Sequence, residues 1–285
     1  LCLTGMHLSN EFGLTYKHVE KDGFKVDFKV ESLISSDSAT GISKSIGIGI
    51  LGFSEAFAKL KPDIILVLGD RYEIFSAVCA AVANLIPIAH CHGGELTLGA
   101  IDDVIRHSIS KMSHLHFTST AEYRKRVIQL GEDPKSVFNT GALGIENLNK
   151  LKFKTFKELE RDLKFSFLKR NFLITFHPET LKKGSSSTQF KSLLEALESF
   201  SDTSFIFTMP NSDTGGRVIF DMINNFVKIN PNNAVSFVSV GQKNYLSLMK
   251  QVDLVIGNSS SGIIEAPFFK IPTINLGDRQ KGRIQ

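Results

Sequence analysis

Short apolar, β-branched runs alternate with longer stretches of helical spacing along the chain, a rhythm that predicts βαβ units around parallel sheets. In the first half the runs predict strands at Leu1–Thr4, Phe24–Val30, Ile64–Leu68, Pro87–Cys91, Leu115–Thr118 and Val137–Asn139. Helices are expected between them. The clearest is Ile101–Met112, where Ile101, Val104, Ile105, Ile109 and Met112 recur at helical spacing while Asp102, Asp103, Arg106 and Lys111 fall elsewhere. Its acidic start suits the helix dipole. From Asn147 to Arg170 the texture is Lys, Glu, Leu and Phe in helical spacing without a strand, and the domain junction is expected there, dividing residues 1–165 from 166–285. The second series predicts strands at Phe172–Phe176, Ser204–Met209, Ala234–Val238, Leu254–Gly257 and Thr273–Leu276, with Lys182–Thr188 read as a polar loop. The expected class is α/β, two doubly wound parallel-sheet domains facing a cleft.

Composition narrows this picture. At 285 residues and 42% hydrophobic content the chain can build two cores without staples. Cys2, Cys79 and Cys91 are odd in number and far apart, so neither a disulfide framework nor a zinc motif is written, and a reducing, cytoplasmic setting is expected. A net charge of +4 with both signs interspersed gives no basis for nucleic acid or a membrane surface as partner. No apolar run approaches the roughly 20 residues of a membrane span, and the stretch Ile46–Phe53 is short and rich in glycine. The N-terminus lacks the pattern of a signal peptide. Leu1-Cys2-Leu3-Thr4 looks like a strand already under way, which suggests a slice of a longer protein.

In open parallel sheets ligands bind at the carboxyl ends of strands. Those positions are polar here: Gly69-Asp70-Arg71-Tyr72-Glu73, His92-Gly93-Gly94-Glu95, His177-Pro178-Glu179, Asn211-Ser212-Asp213 and Gly257-Asn258-Ser259-Ser260-Ser261-Gly262. Asp70, Glu95, Asp102 and Asp103, with His90, His92 and His107 nearby, suit general acid–base chemistry. Simpler roles stand beside these: Asp102 and Asp103 as acids of a helix start, His90 as a core histidine, Asp70 and Arg71 as a structural ion pair. The serine loop is either an anion site or a serine N-cap. A metal site of His90, His92 and Glu95 matches no zinc spacing. No Walker A loop or Gly-x-Gly-x-x-Gly fingerprint follows a strand, so NAD chemistry has no support. Arg279, Lys281 and Arg283 follow the last expected strand, either as a solvated basic loop or as a clamp for a diphosphate.

Taken together, Gly69-Asp70-Arg71, His92-Gly93-Gly94-Glu95, Ile101 to Lys111, Gly257 to Gly262 and Ile274 to Arg283 resemble the hydrolysing UDP-N-acetylglucosamine 2-epimerases of sialic acid biosynthesis, in order and across essentially the whole chain. The resemblance implies two Rossmann-like domains of the glycosyltransferase B type, catalytic acids in the first and the nucleotide site in the second. It implies elimination of UDP to a 2-acetamidoglucal, followed by hydration to N-acetylmannosamine. Neither a cofactor nor a metal is required. It further implies Asp70, His92, Glu95, Asp102, Asp103 and His177 as catalytic candidates. Arg71, Arg106, Asn211, Ser259, Ser260, Glu265 and Arg279 are implied as contacts to the UDP-sugar, the serines for phosphate and Glu265 for ribose. Relatives often carry Glu where this chain has His92, and His92 is expected to replace it in proton transfer because imidazole titrates near neutrality. Family members begin with one more strand and continue past the position of Gln285, so a first strand and closing helices are expected to be missing. Similar enzymes act on UDP-2,4-diacetamido-2,4,6-trideoxyglucose, the alternative substrate; a glycosyltransferase or a nucleotide-sugar sensor is more remote. A homo-oligomer, dimer or tetramer, is the expected assembly.

Overall fold

The computed structural model describes residues 1–36, 38–181 and 185–284. Lys182, Lys183 and Gly184, part of the expected polar loop, lie outside the described residues. The chain divides into two compact units, one of residues 1–97 and 101–143, the other of residues 98–100 and 144–285.

The first unit runs β1 (Cys2–Thr4), α1 (Tyr16–Lys21), β2 (Phe28–Val30), α2 (Ala39–Leu60), β3 (Ile65–Leu68), α3 (Tyr72–Ala83), β4 (Ile88–Cys91), α4 (Asp102–Met112), β5 (Leu115–Thr118), α5 (Ala121–Gln129) and β6 (Val137–Asn139). Strands β3 to β6 form a parallel sheet in sequential order, and β1 and β2 pair in a separate parallel sheet. The strand expected over Phe24–Val30 is thus confined to its last three residues. Gly23 has φ 92° and Phe24 is 63% exposed, so the chain is still turning where alternation suggested a strand. The glycine-rich stretch Ile46–Phe53 lies within the 22-residue helix α2. A Cβ at Gly49 would stand 2.8 Å from the Ser76 side chain, so glycine there lets α2 approach α3. Val30, Phe53, Phe57, Val67, Val78, Ile88 and Ile109 fill the core of this unit. Among the described residues no helix is long and apolar enough to cross a membrane.

At the junction lies α6 (Leu143–Leu148). The second unit continues with α7 (Phe156–Leu163), β7 (Arg170–Thr175), α8 (Ser185–Leu197), β8 (Thr203–Thr208), α9 (Gly216–Ile229), β9 (Ala234–Phe237), α10 (Gln242–Gln251), β10 (Leu254–Gly257), α11 (Ser261–Ile264) and β11 (Thr273–Asn275). Within the stretch of helical spacing, α7 is fixed by a capping box between Thr155 and Glu158. The expected loop over Lys182–Thr188 gives way to helix at Ser185, because its serines can occupy a first turn ahead of the apolar positions Phe190, Leu193 and Leu197. The sheet is parallel, in the order β11-β10-β7-β8-β9. Phenylalanine dominates one face, with Phe172, Phe176, Phe190, Phe205, Phe207 and Phe226 in one cluster. Leu173, Ile206 and Val255 belong to the opposite cluster, as strand alternation requires. After β7 the chain builds outward through β8 and β9, then crosses to lay β10 and β11 on the other flank of β7. That reversal is a topological switch point, where open α/β sheets bind ligands.

Candidate active site

In the first unit the acidic cluster is organised by a buried guanidinium. Arg106, on α4, is 1% exposed. It donates to the Glu95 carbonyl at 2.8 Å, to Thr97 Oγ1 at 3.0 Å and to the Asp70 carboxylate, and lies 3.5 Å from Asp103 Oδ1. Asp103 also accepts the Thr97 N–H at 2.6 Å. A buried guanidinium spreads five donors in a fixed plane, so one side chain can hold several acceptors in register. Asp102 is buried at the start of α4. Arg71 makes two 3.2 Å bonds to Glu73, and Asp70 takes Arg106.

The histidines separate sharply. His90 on β4 is fully buried between Ser110 Oγ at 3.1 Å and the Gly69 carbonyl at 2.8 Å, and burial lowers its pKa to about 4. It is a neutral core residue. His90 and His92, two positions apart, do not share a strand face, because β4 ends at Cys91 and His92 takes a left-handed φ of 66°. That turn brings His92 Nδ1 to 2.8 Å from Glu95 Oε1. Ser119 donates to the same oxygen at 2.8 Å. His92 Nε2 accepts the Leu143 N–H at 3.3 Å, which assigns the ring proton to Nδ1 and a lone pair to Nε2. His107 lies 3.7 Å from Asp103; burial lowers its pKa, Asp103 opposes the shift, and Arg106 and Arg126 add to it. Among the described residues no His, Cys, Asp and Glu group could hold a metal ion.

In the second unit the candidate residues gather at the ends of β7 and β10, on the switch point. Gly257, with φ 138°, passes so close to Thr175 that a Cβ would collide with its carbonyl. The next residue, Asn258, is fully buried. Its side chain accepts the His177 N–H at 2.7 Å and donates to the His177 carbonyl at 2.8 Å. Its carbonyl accepts from Gln280 at 2.8 Å and from Arg279 at 3.3 Å. The side-chain amide of Asn258 thus fixes His177 beside the serine loop, and its backbone carbonyl ties in the loop of Arg279 and Gln280. His177 Nδ1 accepts the Asn211 N–H at 3.2 Å, so its ring proton belongs on Nε2. Arg279 Nη2 stands 3.9 Å from Asp213, and Arg279 Nε is buried without a hydrogen-bond partner. Ser260 gives no side-chain cap to α11, a single turn of four residues, so the N-cap role does not apply to it. Ser259 Oγ accepts from the Ser261 hydroxyl at 3.0 Å and the Ser261 N–H at 3.4 Å. Glu265 closes the turn at the C-cap of α11.

Contacts join Asp70, His92, Glu95, Asp103 and Arg106 in the first unit, and His177, Asn211 and Arg279 in the second, with Ser259 and Ser260 following Asn258 directly in the chain. The sequence reading missed Thr97, Ser119, Tyr245 and the pinning role of Asn258. Ser119 directly follows β5, so the strand-end rule could have found it; nothing local marks Tyr245, in the middle of α10.

A family model described as UDP-N-acetylglucosamine 2-epimerase matches residues 1–285. The GDP/UDP-N,N'-diacetylbacillosamine 2-epimerase (hydrolyzing) of Campylobacter jejuni is 48% identical over 99% of this chain and 73% of its own length. Polysialic acid biosynthesis protein P7 of Escherichia coli is 47% identical over 100% and 72%. The UDP-N,N'-diacetylbacillosamine 2-epimerase (hydrolyzing) of Legionella pneumophila is 34% identical over 99% and 74%. Among solved structures, UDP-GlcNAc 2-epimerase from Neisseria meningitidis bound to UDP-GlcNAc superposes with TM-score 0.75 at 20% identity, covering 98% of this chain and 75% of that one. That likeness establishes the fold, α/β and glycosyltransferase B-like.

Proposed function

The chain belongs to the UDP-N-acetylglucosamine 2-epimerase family, and from that premise we propose that it is a hydrolysing 2-epimerase of UDP-linked 2-acetamido sugars. A base removes the proton at C2 while the C1–oxygen bond to UDP breaks, leaving a 2-acetamidoglucal. Water then adds, its hydroxyl to C1 and a proton to C2 from the opposite face. Inversion at C2 therefore calls for two proton-transfer groups, one for each face. His92 supplies one: Glu95 holds its Nδ1 proton, and Nε2 takes a proton once it gives up the 3.3 Å contact with the Leu143 N–H. Asp70, held by Arg106, supplies the other. Asp102 and Asp103 support the second group, with Arg106 acting through Asp70 and Asp103 rather than on the substrate, since it is 1% exposed.

Departing UDP needs donors. Ser259, Ser260, Arg279 and His177 Nε2 serve the diphosphate and Glu265 the ribose, with Arg71 and Asn211 as further contacts to the UDP-sugar. The observation that carries this reading is the placement of His177 and Ser259 on either side of the β7/β10 switch point, joined by Asn258. UDP-N-acetylglucosamine is one substrate of the class. The names of the Campylobacter and Legionella relatives favour UDP-2,4-diacetamido-2,4,6-trideoxyglucose as the other. Incubating the full chain with each nucleotide sugar and following free UDP tests both. Release from at least one, with the higher kcat/KM naming the substrate, is expected; release from neither contradicts the reading.

A further inference from the structure

Ser259 is not oriented by its own loop alone. Tyr245, on α10, brings its phenol oxygen to 2.6 Å from Ser261 Oγ, and Ser261 Oγ donates to Ser259 Oγ at 3.0 Å. A serine hydroxyl has one proton. If Ser261 gives that proton to Ser259, the short contact with Tyr245 can be completed only by the phenol donating to Ser261. Burial raises the Tyr245 pKa above its ordinary value, opposed by the neighbouring hydroxyls of Ser261, Thr175 and Ser259, so the phenol keeps its proton at neutral pH. The chain of donation then runs Tyr245 to Ser261 to Ser259. At its end Ser259 Oγ accepts the Ser261 hydroxyl and the Ser261 N–H, which occupies its lone pairs. The one hydrogen-bonding capacity left to that oxygen is its own proton, on a residue that is partly exposed.

We propose that Tyr245 is a positioning residue that acts through Ser261 to fix Ser259 as a hydrogen-bond donor to the diphosphate of the nucleotide. The inference rests on the assignment of Ser259 to UDP made above. Without the relay, Ser259 can rotate and present a lone pair to the anion, which repels it. With the relay, the donor is set before UDP arrives, and its ordering costs nothing on binding.

UDP binding to the full chain, measured by calorimetry, tests this with a double-mutant cycle. Ser259→Ala is expected to weaken UDP by about tenfold, and Tyr245→Phe, which keeps the ring and removes the donor, by about three- to fivefold, the range of one neutral hydrogen bond. In the Ser259→Ala background Tyr245→Phe should change UDP affinity by less than about 1.5-fold, a non-additivity that loss of packing would not produce. Ser261→Ala breaks the relay at its middle and should reproduce the Tyr245→Phe loss and its disappearance beside Ser259→Ala. This second variant decides the matter if Tyr245→Phe proves unstable. Wild-type affinity in Tyr245→Phe, or an equal loss with and without Ser259, overturns the relay while leaving Ser259 in the site. Wild-type affinity in Ser259→Ala overturns the site assignment and the relay with it.

Discussion

The two candidate regions solve different electrostatic problems with different materials. In the first unit, ionised groups are held by other ionised groups, Arg106 gathering Asp70 and Asp103 and Glu73 holding Arg71, while Glu95 accepts the Nδ1–H of His92. In the second unit the scaffold is mostly neutral, built from the Asn258 amide and the hydroxyls of Tyr245, Ser261 and Ser259, with Arg279 as the cation at its side. The difference fits the tasks proposed for them. A proton-transfer group needs its basicity set by fixed charge nearby, whereas a diphosphate needs donors that are aimed and not already spent on carboxylates.

The contrast breaks most visibly at Asp70. Asp70→Asn keeps the shape and removes the charge, and turnover should fall by about a thousandfold while UDP affinity stays within about twofold. Comparable losses in both would mean that the first unit also carries nucleotide binding. Next in size is His92: His92→Ala should cost roughly a hundredfold in kcat, and Glu95→Gln less, since it spares the imidazole and removes only its charged support. Wild-type turnover by His92→Ala with loss only in Glu95 variants would move the proton transfer to Glu95.

Acid should separate the units by stability. His90 is buried and neutral with a pKa of about 4, whereas an unfolded histidine titrates near 6.5. The unfolded chain therefore binds the proton first, and stability present above about pH 6.5 is lost as pH falls toward 4, by roughly 2–3 kcal/mol from this residue at pH 4.5. His116, its cross-strand partner on β5, is also fully buried and shifted in the same direction by burial, against the pull of Glu132. Hydrogen exchange should show β4 and β5 losing protection in acid before β7 and β10, and His90→Gln should flatten the slope. The smallest effect concerns Arg279. Arg279→Ala should weaken UDP by about tenfold, one charge-assisted contact, with kcat at saturating substrate changed less.

Much of this arrangement could be read from residue order. The period of Ile101–Met112 predicts α4 to within one residue, and Leu115–Thr118, Val137–Asn139 and Leu254–Gly257 are strands as spaced. Strand-end polarity pointed to His92, Glu95, His177 and the serine loop because side chains at those ends leave the core together. What local pattern does not encode is long-range pairing. Arg106 looks like a surface residue of an amphipathic helix, and only the fold reveals it as the buried partner of a carboxylate 36 positions away. Asn258 and His177 are 81 positions apart, and their two bonds exist because β10 crosses back beside β7. Alternation over Phe24–Val30 overreached because a strand needs a neighbour for its whole length, and β1 offers only three residues.

The central claim is proton removal at C2 with loss of UDP, and NMR of the reaction run in deuterium oxide reads it directly. With UDP-N-acetylglucosamine or its 2,4-diacetamido-6-deoxy analogue, the account predicts free UDP together with a sugar of inverted C2 configuration carrying deuterium at C2. A released sugar that keeps both its original configuration and its C2 hydrogen would contradict it.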